Sequence, residues 1–211
     1  MAGYVICQSR KIMTDIKFKE LGVVEYIETY DAMMELIKSQ PSFHSIWTLE
    51  HFPVFTIGIS EKEITEDKSK SPPFIKTDRG GKTTFHAPGQ LVIYFILNMK
   101  KLPFPPTELT KKILETTSET LGSYDLKHNI SARDPGIFID SQKVASIGMR
   151  IKKNYSYHGL SININTDLDK FNSIKPCGLD VQACNLKDYI NINIDKFKKE
   201  LLKTFQHMLS K

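Results

Sequence analysis

Apolar positions along the chain fall into two rhythms, and each predicts its own kind of element. Val23, Ile27, Tyr30, Met34 and Ile37 recur at the spacing of one helical face, which predicts a helix over 23–37. Phe197, Leu201, Phe205 and Met208 do the same, predicting an amphipathic helix over 195–209 with that stripe inward. A third helix is expected after the proline-rich connection Leu102–Pro106: Thr107 as N-cap, then Leu109, Ile113, Thr117 and Leu121, ending near Gly122. Shorter apolar runs read as strands: Ile46–His51 and Val54–Ile59, broken at Pro53, which has no N–H to donate. Lys82–His86 and Leu91–Asn98 bracket the turn Ala87-Pro88-Gly89. Gly136–Asp140 and Lys143–Ile151 form a hairpin across Ser141-Gln142, and Tyr155–Asn165 adds another strand. The polar stretch 61–73 is expected to be an exposed loop. Adjacent strands interrupted by a few helices indicate an α+β fold, a single domain over 1–211. Its central sheet should be mixed, mostly antiparallel and flanked by helices.

Totals narrow the function classes. At 211 residues, 40% hydrophobic and 25% charged, the chain is long enough to bury a core without disulfides or metals. No apolar run reaches the ~20 residues of a membrane-spanning helix, and Met1–Arg10 lacks the pattern of a secretory signal, so no membrane partner is expected. Three cysteines give no disulfide framework, and a reducing, cytoplasmic location is expected. The net charge of 29 − 24 = +5 is spread over scattered lysines without a basic run. Without such a run nucleic acid is not expected, and docking of an acidic protein partner explains the same charge, though composition alone does not choose between them.

Candidate chemistry centres on Cys177 in Lys175-Pro176-Cys177-Gly178. A proline stiffens the backbone before the thiol and a glycine leaves its approach open, as a nucleophile requires. A turn cysteine of purely structural role fits the same four residues. Cys7, in an apolar stretch, and Cys184 read as unreactive small hydrophobes. Cys177 and Cys184 lack zinc-knuckle spacing and no His pair completes a site, so no metal is expected. A nucleophilic Cys177 needs a base, and Lys143, His86 and His158 are candidates. A thiol with pKa ~8.5 is only about 3% thiolate at neutral pH. Lowering the pKa to ~7 gains only about 3-fold after the loss of intrinsic nucleophilicity. Positioned proton transfer is worth about 10²–10⁴-fold, so the base matters chiefly as a proton acceptor and donor. Arg79-Gly80-Gly81 offers backbone on which a substrate or another strand can lie flush, or a plain turn. His86 could hydrogen-bond a substrate carbonyl or satisfy a local group. Glycines in Ser146-Ile147-Gly148 and Gly159-Leu160-Ser161 mark close approach of a ligand, or a bulge.

Together these stretches resemble the lipoyl(octanoyl) transferases, from about Leu21 to Asn185. The segment Arg79-Gly80-Gly81-Lys82-Thr83-Thr84-Phe85-His86 is similar to that family's substrate-binding segment, and Lys143-Val144-Ala145-Ser146-Ile147-Gly148 to its lysine-bearing strand. Tyr157-His158-Gly159-Leu160-Ser161, Lys175-Pro176-Cys177-Gly178 and Trp47-Thr48-Leu49-Glu50-His51 match three further motifs. Ala87 stands where the family usually has glycine, and 179–185 departs from the usual continuation; both concern pocket shape and loop path. The resemblance implies the fold of biotin and lipoate ligases, with Cys177 carrying an octanoyl thioester and Lys143 tuning the thiol and shuttling protons. It implies that 79–86, 146–148 and 159–161 bind the acyl group. The implied donor is octanoyl-acyl carrier protein; the acceptors are lipoyl domains of 2-oxoacid dehydrogenases and the glycine cleavage H protein. No cofactor is implied. Competing readings are an octanoyl amidotransferase between lipoyl-type domains, an ATP-dependent lipoate or biotin ligase, and a basic RNA-binding or docking module.

Overall fold

The computed structural model describes residues 15–62, 66–173 and 181–210. In chain order the strands are β1 (Ile16–Val24), β2 (His44–His51), β3 (Val54–Ile57), β4 (Phe74–Lys76), β5 (Thr84–His86), β6 (Gln90–Ile96), β7 (Asn129–Ser131), β8 (Gly136–Ile139), β9 (Gln142–Lys152) and β10 (Tyr155–Asn163). The α-helices are α1 (Tyr26–Lys38), α2 (Leu109–Gly122), α3 (Leu168–Ser173) and α4 (Ile194–Ser210). Seven strands form the main sheet in the order β1-β2-β6-β10-β9-β8-β7, in which β1 runs parallel to β2 and every other neighbour is antiparallel. A second sheet, β4-β3-β5, is itself mixed.

Strand β6 shows why the main sheet is covered on both faces. Its side chains alternate with period two. Leu91, Ile93 and Phe95 join the cluster that contains Ile113 and Leu121 of α2 and Phe197, Leu201 and Phe205 of α4. Val92, Tyr94 and Ile96 point the other way, into a cluster with Met33 and Ile37 of α1. Phe205 meets Phe95 edge-on, with ring centroids 4.9 Å apart. Both tight turns beside β9 hold two consecutive left-handed residues, Asp140-Ser141 (φ 45 and 69) and Lys153-Asn154 (φ 49 and 65). That backbone suits the strand twist of two-residue hairpins.

Three expectations are corrected. Val23 belongs to β1, not to a helix, and α1 buries Tyr26, Thr29, Met33 and Ile37 while Ile27 stays exposed. Thr107 is not an N-cap: a 3₁₀ turn, Pro106–Glu108, leads into α2, and Glu108 occupies the cap position without a side-chain bond. The first hairpin turns on Asp140-Ser141, one residue earlier than expected, because Ile139 pairs with Gln142. Among the described residues no helix is long and apolar enough to cross a membrane.

Candidate active site

Four segments, one of them more than forty residues before the other three, meet around one cavity of about 400 Å³. Its walls come from Arg79–Thr84 with His86, from Lys143 and Ser146–Met149 of β9, from His158–Ser161 of β10, and from the Asp134-Pro135 turn. Tyr26 and Tyr94 contribute aromatic wall. Arg79, Gly80, Gly81, Lys82, Thr83, Thr84, His86, Lys143, Ser146, Ile147, Gly148, Gly159, Leu160 and Ser161 are thus brought together. Phe85 is the exception. Strand alternation turns it away from its neighbours, and it packs against Phe55 with centroids 4.8 Å apart, in an apolar cluster with Phe171 and Ala183. Cys177 lies outside the described residues.

Close backbone approach assembles the wall. The Gly80 N–H donates to Met149 O (3.2 Å), so the Arg79–Gly81 segment leans on β9. A Cβ at Gly148 would stand 2.8 Å from Gly80 O, so this crossing requires glycine. Arg79 is buried and directs its fork at its own scaffold. Its Nε and Nη2 donate to Thr56 Oγ1 (3.0 and 2.9 Å), Nη2 also to Thr56 O (2.6 Å), and Nη1 to Gly80 O (3.0 Å).

Lys143 enters the cavity through an irregularity in the sheet. Phe138 pairs with Lys143 and Ile137 with Ala145, leaving Val144 as an extra residue. Such a bulge re-aims the side chain beside it. The Lys143 Nζ donates to Asp134 Oδ1 at 2.7 Å, with side-chain exposures of only 8% and 12%. Its stem lies over Gly136, where a Cβ would be 2.5 Å from Lys143 Cε. Its main chain holds the segment that follows position 180: Lys143 N–H donates to Gln182 O (2.8 Å) and Cys184 N–H to Lys143 O (3.1 Å). From the other side, Ala183 N–H donates to Asn172 Oδ1 of α3 (2.9 Å).

The histidines beneath the cavity are buried and neutral. His51 Nδ1 donates to Val24 O (2.9 Å), which leaves Nε2 to accept from the Tyr94 hydroxyl (2.8 Å). Burial lowers the His51 pKa to about 4. Burial, and then the neighbouring His51 charge, lower that of His86 to about 3. His158 sits in β10 with a left-handed φ of 60, and its Nε2 contacts Asp78 Oδ1 at 3.0 Å. Asp78 also accepts from the Tyr157 hydroxyl. Burial opposes ionisation of Asp78, but the hydrogen bonds from His158 and Tyr157 outweigh it and hold the carboxyl at about 2. Burial pushes the Cys184 thiol up to about 11, which keeps it protonated and unreactive at neutral pH. Among the described residues no group of three His, Cys, Asp or Glu is placed to hold a metal ion.

Residues that sequence reading passed over are Asp134, Thr56, Asp78 and Asn163. Only Asp134 carried a signal, an acid in the turn opening the lysine-bearing hairpin.

The chain is similar to known proteins in both sequence and fold. Octanoyltransferases from Polynucleobacter asymbioticus and Wigglesworthia glossinidia brevipalpis are 37% and 36% identical to the chain, covering 90% and 93% of it and 96% and 93% of their own lengths. One from Coxiella burnetii is 34% identical over 92% of the chain and 82% of its own. Among solved structures, lipoate-protein ligase A bound with ATP superposes with a TM-score of 0.76 at 16% identity, covering 93% of this chain and 86% of that one. Biotin protein ligase from Aquifex aeolicus, with biotin and ATP, gives 0.57 at 14%, over 92% and 70%. At such identities these two speak for the fold, which is that of lipoate and biotin protein ligases. The lipoyl protein ligase A/B catalytic domain matches residues 25–206, and the chain belongs to that family.

Proposed function

We propose that this protein is an octanoyltransferase of protein lipoylation, working in the cytoplasm. It takes the octanoyl group from octanoyl-acyl carrier protein and passes it to a lysine of lipoyl domains through a thioester on Cys177. Its acceptors are the lipoyl domains of 2-oxoacid dehydrogenases and the glycine cleavage H protein. The observation that carries this reading is the placement of Lys143. Its buried amine lines the cavity, and its main chain grips Gln182, five residues (182 − 177) after Cys177 in sequence.

In the first step neutral Lys143 takes the Cys177 proton while still donating an N–H to Asp134. The thiolate attacks the octanoyl carbonyl carbon, the carbon–sulfur bond to the carrier breaks, and Lys143 returns the proton to the departing thiolate. In the second step the acceptor lysine amine attacks the Cys177 thioester. An amide forms, the Cys177–acyl bond breaks, and the amine's proton passes through Lys143 to the sulfur. Thioester-to-amide transfer is downhill, so neither step calls on ATP. Burying the chain's six methylenes supplies at most about 5 kcal/mol. The family's octanoyltransferases, 34–37% identical, support the acyl group chosen.

Intact-mass measurement after mixing with octanoyl carrier protein tests this directly. The wild type gains one octanoyl group and Cys177→Ala gains none. Full-rate transfer by Cys177→Ala overturns the scheme, and transfer that starts only on adding ATP replaces it with a ligase.

A further inference from the structure

Beneath the cavity runs a line of buried polar side chains whose donors and acceptors all face the same way. Gln90, fully buried, places Nε2 against two oxygens, Phe85 O (3.2 Å) and Asn163 Oδ1 (2.8 Å). Only the NH₂ end of the amide satisfies both, so its orientation is settled and Oε1 must face His86 Nδ1, at 2.6 Å. A carbonyl oxygen accepts, so His86 carries its proton on Nδ1. The neutral ring then has a lone pair on Nε2, 3.4 Å from Thr56 Oγ1. That hydroxyl already accepts from Arg79 Nε and Nη2, and its own hydrogen is left for His86. At the far end, Asn163 Nδ2 donates to Cys184 O (3.2 Å) and reaches Lys143 O at 3.5 Å. The chain therefore runs Arg79, Thr56, His86, Gln90, Asn163, and ends on the two carbonyls where β9 meets the segment at Cys184.

Two consequences follow from this polarity. His86 has both ring nitrogens engaged and works through its neighbours, not as a base toward substrate. The Arg79 wall and the Lys143 main chain, which sequence separates by 64 positions (143 − 79), are held in one geometry through His86, which lines the cavity, and through Thr56, Gln90 and Asn163, which do not. Such buried networks are rigid only while every member is satisfied.

We propose that Gln90 and Asn163 are positioning residues of the transfer reaction, acting through His86 and the Lys143 carbonyl; for the role of Lys143 this rests on the function proposed above. Displacing a base by about 1 Å is worth as much as 10²-fold in rate. The test begins without turnover. Long-range ¹H–¹⁵N spectra of the wild type should show His86 as the Nδ1–H tautomer, and Gln90→Met, which keeps volume and removes the amide, should show mixed tautomers. In steady state Gln90→Met and Asn163→Leu should each lower kcat roughly ten- to hundredfold with KM for the octanoyl donor nearly unchanged. An Nε2–H tautomer in the wild type overturns the proposal, as does an effect on KM alone. The tautomer readout is blind to Cys177, so failure of the thioester scheme is seen separately, in the mass of Cys177→Ala.

Discussion

Acid should weaken this fold well before its carboxylates are protonated, because two histidines are buried neutral beneath the cavity. Free in an unfolded chain each titrates near 6.5; in the fold His51 is held at about 4 and His86 at about 3. Between those values the unfolded chain binds a proton that the native protein refuses, so stability rises with pH. Their contribution is complete above about 6.5 and is lost as pH falls toward each folded pKa. Each group weakens the fold by about 1.4 kcal/mol per pH unit in that window. From about pH 7 to pH 5 that amounts to about 2 kcal/mol for each histidine and about 4 for the pair. A domain's whole stability is typically about 5–15 kcal/mol, so the loss is large. His44, also lowered to about 4 by burial, acts with the same sign. Asp78 does so lower down, below about pH 4, and its half-exposed carboxyl is discounted for solvent screening.

Urea unfolding at the two pH values reads this out, provided the slope m stays constant. His86→Gln removes one titrating ring, and the loss between about pH 7 and pH 5 should shrink by about 2 kcal/mol relative to wild type. A wild-type loss below about 1 kcal/mol would refute the reasoning. So would a His86→Gln protein that loses as much stability as its parent.

Other substitutions probe the lysine's seat and the core. Gly136→Ala places a methyl 2.5 Å from both Lys143 Cε and Ala145 O. It should destabilise by about 1–3 kcal/mol in thermal melts and lower kcat more than tenfold; normal turnover would show that the stem has room to move. Asp134→Ala should cost about 1–3 kcal/mol by leaving the buried Lys143 amine without its 2.7 Å partner. In a double-mutant cycle with Lys143→Ala the two effects should be coupled by at least about 1 kcal/mol, and simple additivity would count against the pair. Phe205→Ala, at a fully buried ring edge-on to Phe95, should cost about 3–5 kcal/mol while the folded fraction keeps its turnover.

How far the fold was legible depends on whether an element's burial is written in its own residues. Strand β6 and helix α4 were, because each buries apolar side chains at its own period. Strand β1 was not. It is an edge strand with Lys17, Lys19 and Glu20 exposed, held by main-chain pairing to β2, and such bonds leave no mark on residue type. Helix α1 was found with its face misplaced. Thr29 is buried because its hydroxyl satisfies Glu25 O (2.7 Å), so a polar residue lies inward and Ile27 outward.

The site divides along the same line. Glycines and a lysine at unusual places in strands could be singled out because they break the pattern around them, and most of them do meet around one cavity. Phe85 was grouped with them by adjacency alone, and strand alternation sends it the other way. The partners that give the singled-out residues their chemistry are ordinary Thr, Asp, Gln and Asn, distinguished only by what the tertiary register sets beside them. Thr56 has no property that predicts Arg79, and Asn163 none that predicts Lys143, until β3 and β10 are in place. A polar side chain becomes informative when burial removes its alternative partner, water, and leaves it one set of protein oxygens to choose from. The hydrogen-bond polarity from Arg79 to Asn163 is therefore a property of the packed molecule, present in no segment of it, and it is the Nδ1 proton of His86 that would reveal it.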